Sequence, residues 1–183
     1  DRGNTLPELQ MSVLNQIERP KFVLLDTIRL WIENRRDALL QVIGKVDAIV
    51  LNDEEIRLIT DITSIPKAVA KLFSLGPKVV IVKRGEHGAT MHFASGEFFA
   101  LPAIPISDVI DPTGAGDSFA GGFMGRLAVE GSLNQAAFRR ALVAGTVVAS
   151  FTVQAFGLEK LVTVTPAELA EREAFLLQSI RVA

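Results

Sequence analysis

The run Asp111-Pro112-Thr113-Gly114-Ala115-Gly116-Asp117-Ser118-Phe119-Ala120-Gly121-Gly122-Phe123 is where the sequence says most. Gly114-Ala115-Gly116 reads as a small, flexible turn leading into a helix expected over Ser118–Val129. Without bulky side chains, the backbone N–H groups of such a turn are free to point at a common centre. The helix N-terminus adds partial positive charge there, so the turn suits an anion such as phosphate. Asp117 stands in the first helical turn, where a carboxylate in reach of a transferring phosphoryl group accepts the proton of an attacking hydroxyl. Further along, Phe119, Phe123 and Leu127 form an i, i+4, i+8 stripe that faces a core. Gly121, Gly122 and Gly125 lie elsewhere on that helix, each at a cost of roughly 1 kcal/mol relative to Ala. Such a cost points to close packing against another backbone or a ligand. A plain helix cap competes with this reading, because Asp at a helix start and glycine-rich turns are both common.

Upstream of this run, strand-like and helix-like segments alternate. Phe22–Asp26 is a short apolar run ending in a carboxylate, as a buried parallel strand would. Trp31–Ile43 has helical spacing, with Gly44 placed to cap it. Asp47–Leu51 is the next strand, Asp53–Thr60 a short helix, and Ile65–Leu75 an amphipathic helix stopped by Gly76-Pro77. Lys78–Lys83 is the strongest strand pattern in the chain. Ala89–Ala94 and Glu97–Leu101 then form a hairpin-like pair around Ser95-Gly96. Downstream of the run, Asn134–Val153 and Pro166–Ser179 read as helices. The former is rich in Ala and Val, with Arg139-Arg140 its only charges, and is expected to be mostly buried. The pattern predicts an α/β fold with a mainly parallel sheet and helices on both faces.

The chain has 183 residues, 49% of them hydrophobic, enough for one domain with a sizeable core. The net charge is −2 and no Lys/Arg block stands out, so a nucleic-acid partner has no electrostatic support. The absence of Cys excludes a disulfide framework and thiolate metal sites. No apolar stretch is long enough to span a bilayer. Asp1–Gln10 lacks the basic-then-apolar pattern of a signal peptide, and a cytoplasmic location is expected. There is no Gly-x-x-x-x-Gly-Lys-Ser/Thr and no Gly-x-Gly-x-x-Gly, which removes the P-loop and dinucleotide fingerprints.

The quoted run resembles the signature of the ribokinase (PfkB) family, an Asp-x-Thr-Gly-Ala-Gly-Asp stretch followed by Phe and Gly-Gly. Asp111, Thr113, Gly114, Ala115, Gly116, Asp117, Phe119, Gly121 and Gly122 match it. The resemblance implies a ribokinase-like three-layer α/β/α fold with Asp117 as the catalytic base and Gly114, Ala115 and Gly116 as the anion hole. It implies an ATP-dependent kinase acting with Mg²⁺ on an alcohol group of a sugar or nucleoside. Some members bind a monovalent cation near the anion hole, and a homodimer is compatible with the family. Two rival readings are a non-catalytic nucleotide-binding module of the same fold and a kinase of the hydroxymethyl-pyrimidine or pyridoxal type.

Other segments carry the resemblance more weakly. Asn52-Asp53-Glu54-Glu55 reads by itself as a capping box. The family places an Asn-x-x-Glu motif at this point in its element order, which implies that Asn52 and Glu55 organise Mg²⁺–ATP, largely through water. Lys83-Arg84-Gly85-Glu86-His87-Gly88 is similar to the family's nucleotide loop. By that resemblance Lys83, Gly85 and Gly88 are candidate ATP contacts, as is Gly145 on one wall of the adenine pocket. His87 reads as a loop residue and His92 as a strand residue without a chemical role. The resemblance runs from about Phe22 to near Leu161 and maps onto the later part of a family member. Residues 1–183 are therefore expected to be a single but partial domain, without the family's N-terminal elements and small β-sheet lid. Asp1–Glu18 would be the tail of an earlier element.

Overall fold

The computed structural model describes residues 6–181. In chain order these form α1 (Pro7–Gln16), β1 (Leu24–Asp26), α2 (Arg29–Asn34), α3 (Arg36–Ile43), β2 (Ala48–Asn52), α4 (Asp53–Thr60) and α5 (Ile65–Phe73). They continue with β3 (Val79–Lys83), β4 (Ala89–Phe93), β5 (Phe98–Leu101), α6 (Ala115–Glu130), α7 (Gln135–Thr152) and α8 (Pro166–Ser179), with short 3₁₀ turns at Gly85–His87 and Leu161–Thr163. Of the stretch read as the tail of an earlier element, residues 1–5 lie outside the described residues, while α1 is a helix that sets Met11 against the core.

The strands form one five-stranded sheet in the order β1-β2-β3-β4-β5. β1, β2 and β3 run parallel, with Leu25 opposite Ile49 and Ile49 opposite Val80. In both β2 and β3 every residue but the last is buried. That explains why each reads as an unbroken apolar run rather than an alternating one. In β4 burial alternates, with Ala89, Met91 and Phe93 inside, as in a strand with only one covered face.

The described residues divide into two compact units. One comprises the chain up to Lys83 with Met91–Phe98, and the other comprises Arg84–Thr90 with Phe99 onward. The first unit has a core of Leu39, Val42 and Ile43 from α3, Ile49 and Leu51 from β2, Ile56 and Ile59 from α4, and Val80 and Val82 from β3. The second is built on α6 packed against α7, where Phe119, Phe123 and Leu127 are buried together with Phe138, Ala141 and Leu142.

One element differs from the sequence expectation. The helix expected over Trp31–Ile43 is two helices, broken at Arg35 with φ −140° and ψ 34°. The cause is tertiary. The Arg36 guanidinium donates to the carbonyls of Leu58 (3.0 Å) and Ile59 (2.9 Å) and to the Asp61 carboxylate (2.6 Å). Those carbonyls end α4 and have no partner within their own helix, so Arg36 caps it from outside. Gly44 closes α3 with an ordinary φ of −67°, not in the left-handed conformation that a glycine cap uses.

Candidate functional site

Helix α6 begins three residues before the expected Ser118, so the glycine turn is itself the start of the helix. Gly114 is the N-cap with φ 82°, a left-handed conformation that glycine adopts at little cost. No side chain caps this end. The Ala115 N–H bonds to the Pro112 carbonyl at 3.1 Å, and the Ser118 N–H to the Gly114 carbonyl at 2.9 Å. Among the described residues, the N–H groups of Gly114, Gly116 and Asp117 have no acceptor. The open donors therefore differ by one from the expected set: Ala115 is engaged, and the Asp117 N–H takes its place. The Asp117 side chain is exposed and its carboxylate has no partner among the described residues. An uncapped helix start with open N–H groups beside a free carboxylate can bind an anion and accept a proton.

The approach of α7 holds this end in place. A Cβ on Gly122 would lie 3.0 Å from the Val148 side chain and 3.1 Å from both the Ala144 carbonyl and the Gly145 Cα. A Cβ on Gly145 would lie 2.7 Å from the Phe119 carbonyl. Gly122 and Gly145 thus let the two backbones touch. Burying a Phe contributes about 1.5–3 kcal/mol, so Phe119 and Phe123 together outweigh the roughly 1 kcal/mol lost at each glycine. Gly145 was expected at an adenine wall, but it is buried against α6. Gly121 and Gly125, by contrast, would have nothing within 4 Å of an added Cβ and are exposed.

In the other unit, the carboxyl ends of the three parallel strands carry Asp26, Asn52 and Lys83. Asn52 caps α4. Its Oδ1 accepts the N–H groups of Glu54 (2.9 Å) and Glu55 (2.8 Å), and Glu55 Oε2 accepts the Asn52 N–H (2.7 Å). The capping box is therefore real. It also limits what these residues can do for a metal. With two N–H bonds the Asn52 Oδ1 has no lone pair left, so direct coordination by Asn52 does not fit. Glu55 retains its second oxygen. Its side chain is buried, and desolvation raises its pKa above the usual 4.5, opposed by the Asn52 N–H and the charge of Lys83. Among the described residues no group of three or more His, Asp or Glu side chains is arranged to hold a metal ion. These residues fit Mg²⁺ held through water by Glu55 rather than caged by protein.

Lys83 does not stand free for phosphate. Its Nζ lies 3.4 Å from both carboxylate oxygens of Asp26, and both side chains are largely buried. Asp26 is a charged residue at the strand ends to which the sequence reading assigned no role, because its partner lies 57 residues away. Gly85 (φ 53°) is open, with nothing within 4 Å of a Cβ. Gly88 is not: a Cβ there would lie 2.0 Å from the Leu101 carbonyl, so the chain's own Leu101–Ala103 segment fills the space a side chain would take. His87 is exposed beside Glu86. His92 packs on the Phe98 ring at 5.0 Å, and burial lowers its pKa.

No described helix is long and apolar enough to cross a membrane. The family model described as pfkB family carbohydrate kinase matches residues 11–163. A cytidine kinase of Thermococcus kodakarensis is 36% identical over 123 residues, which is 64% of this chain and 43% of that protein. Aminoimidazole riboside kinase from Salmonella enterica, solved with aminoimidazole riboside and an ATP analogue, has a TM-score of 0.73 at 25% identity, over 83% of this chain and 52% of that one. A candidate ribokinase II from E. coli, solved with ATP and Mg²⁺, has a TM-score of 0.66 at 31% identity, over 84% of this chain and 47% of that one. The chain thus spans about half the length of the relatives it matches.

Proposed function

Because the chain belongs to the pfkB family of carbohydrate kinases, we propose that it is the phosphate-handling part of an ATP-dependent kinase acting on an alcohol group of a sugar or nucleoside. The observation that carries this reading is the start of α6, where open N–H groups stand beside the free Asp117 carboxylate. In the proposed reaction Asp117 takes the proton of the acceptor hydroxyl as its oxygen attacks the γ-phosphorus. The bond from phosphorus to the ADP oxygen breaks in line, and ADP leaves with the electron pair. The N–H groups of Gly114, Gly116 and Asp117 stabilise charge on the transferring group. Mg²⁺, when bound, neutralises phosphate charge. Glu55 would hold it through water with the oxygen not used by the capping box, and Asn52 contributes by fixing Glu55. Lys83 and Gly85 remain candidates for contact with the polyphosphate, Lys83 only if its ammonium leaves Asp26. The relatives include a cytidine kinase and a riboside kinase, which supports sugars and nucleosides as the acceptor panel.

The test is γ-phosphate transfer by the whole protein over that panel, with Asp117→Asn alongside. Asn keeps the shape but accepts no proton, so transfer should fall by about 10²–10⁴-fold. The melting temperature should hold, because the side chain is exposed and unpartnered. Activity within a few-fold of wild type would remove Asp117 as the base.

A further inference from the structure

We propose that Arg172 of α8 is a positioning residue: its guanidinium clamps the last turn of α7, and the Val153 carbonyl held there anchors the Ile110–Asp111 segment that leads toward α6. The consequence for catalysis rests on the function proposed above; the clamp itself does not.

Three contacts converge on this guanidinium. Its Nη1 donates to Gln154 Oε1 at 2.8 Å and to Ser150 Oγ at 3.2 Å. Its Cζ lies 3.4 Å from the centre of the Phe151 ring, a cation set on an aromatic face. Ser150 is buried and donates its own hydroxyl to the Val147 carbonyl at 2.6 Å, so its oxygen can accept from Arg172. Val153, the C-cap of α7, sits in the chain between the two bonded residues, Ser150 and Gln154. A carbonyl at a helix end has no partner within the helix. That of Val153 finds its partners outside, accepting the Ile110 N–H at 2.8 Å and the Asp111 N–H at 3.3 Å.

The setting of Arg172 calls for an explanation. Taking a guanidinium out of water costs free energy, and a carboxylate normally offsets it. Arg172 is half-buried, burial lowers its pKa, and Glu168 and Glu171 attract it only from a distance. What it gains instead is a fixed place, because its planar fork meets two acceptors and one ring at once. Helix ends fray unless they are held. Here α8 holds the end of α7, and Lys160 assists, with its Nζ 5.8 Å over the same ring and 3.5 Å from Glu168. The start of α7 is held separately, by the Asn134 side chain accepting the Ala137 N–H at 2.9 Å. Losing the clamp should therefore loosen Ile110 and leave Ala137 alone, whereas a general loss of stability would loosen both.

The experiment follows amide hydrogen exchange in the ¹⁵N-labelled protein and γ-phosphate transfer by the whole protein. In Arg172→Ala the Ile110 amide should exchange about tenfold faster, as for a lost hydrogen bond from a charged group, with Ala137 near wild type. Arg172→Lys keeps the charge without the fork and should fall between the two. Gln154→Ala keeps the stacking on Phe151, so it remains informative if Arg172→Ala does not fold, and should speed Ile110 about threefold. In Arg172→Ala, kcat per folded molecule should drop about tenfold, because a slack approach to α6 misplaces the reacting groups. Unchanged Ile110 exchange in folded variants would overturn the proposal, and so would Ile110 and Ala137 speeding up together. A Lys variant equal to wild type would show that charge alone matters and would overturn the clamp. Faster Ile110 exchange with unchanged kcat would overturn the positioning role. If the wild-type protein transfers no phosphate, the functional reading fails by itself, and the exchange arm still decides whether Arg172 anchors this segment.

Discussion

Helix α4 closes its first turn with its own side chains, whereas α6 leaves its first turn open. At α4, Asn52 and Glu55 satisfy three backbone N–H groups with bonds of 2.7–2.9 Å. At α6, Gly114 supplies no side chain, and the N–H groups of Gly116 and Asp117 have no acceptor among the described residues. A good N-cap is worth about 1 kcal/mol, and this chain supplies caps elsewhere, from Asn134 at α7 and Thr165 at α8. Like α1, α2, α3 and α5, whose starts also lack a side-chain cap, α6 goes without that contribution. Stability is given up where donors face outward, and it is recovered in the packing of α6 against α7. The closed end builds structure and keeps one carboxylate oxygen available, and on the proposed reading the open end presents its donors to an anion.

The largest stability effect should come from the packing that supports the open end. Gly145→Ala would place a Cβ 2.7 Å from the Phe119 carbonyl, so it should cost about 1–3 kcal/mol by overpacking and lower the melting temperature. Gly121→Ala is the control on the opposite, uncrowded face. With nothing within 4 Å, it should gain about 0.5–1 kcal/mol from helix propensity. If thermal unfolding ranks the two variants the other way round, α6 and α7 do not pack as described.

The next effect belongs to the closed end. Asn52→Ala removes the acceptor of two N–H groups and half of the capping box, and should cost about 1–2 kcal/mol in urea unfolding. A cost near zero would mean that water satisfies these donors as well as Asn52 does, and the contrast between the two helix starts would lose its energetic basis.

The smallest effect is a pH dependence, and it compares two capping boxes of the same kind. Glu55 is buried and its pKa is raised by desolvation. Its contribution to stability is fully present below the unfolded value near 4.5 and is lost as pH rises through its folded pKa. Glu168 caps α8 in an exposed position, and the Thr165 N–H and hydroxyl lower its pKa. Its contribution is present above the unfolded value and is lost as pH falls through its folded pKa. Carboxyl ¹³C titration should place the Glu55 midpoint above 4.5 and that of Glu168 below it. A Glu55 midpoint below 4.5 would mean that Lys83 and the Asn52 N–H outweigh burial.

Much of this was legible in the sequence because it is local. The helix Asp53–Thr60 and its Asn52/Glu55 box follow from side chains three residues apart, and the strand at Val79–Lys83 from an unbroken apolar run. The open turn was legible too, since Gly114-Ala115-Gly116 carries no capping side chain. What escaped depends on distant partners. Nothing near Arg35 breaks a helix, and the break is made by Arg36 reaching the end of α4. The Asp26–Lys83 pair spans two strands, and Gly88 and Gly145 are glycines because backbone from elsewhere in the chain lies against them. A glycine's composition signal is the same whether a ligand or the protein's own backbone comes close.

The measurement that bears most directly on the contrast is a titration of the ¹⁵N-labelled protein with inorganic phosphate, followed at backbone amides. The account predicts saturable shifts at Gly114, Gly116 and Asp117, with Glu54 and Glu55 unmoved because their N–H groups already bond to Asn52. Shifts at Glu54 and Glu55 with none at the start of α6 would contradict it.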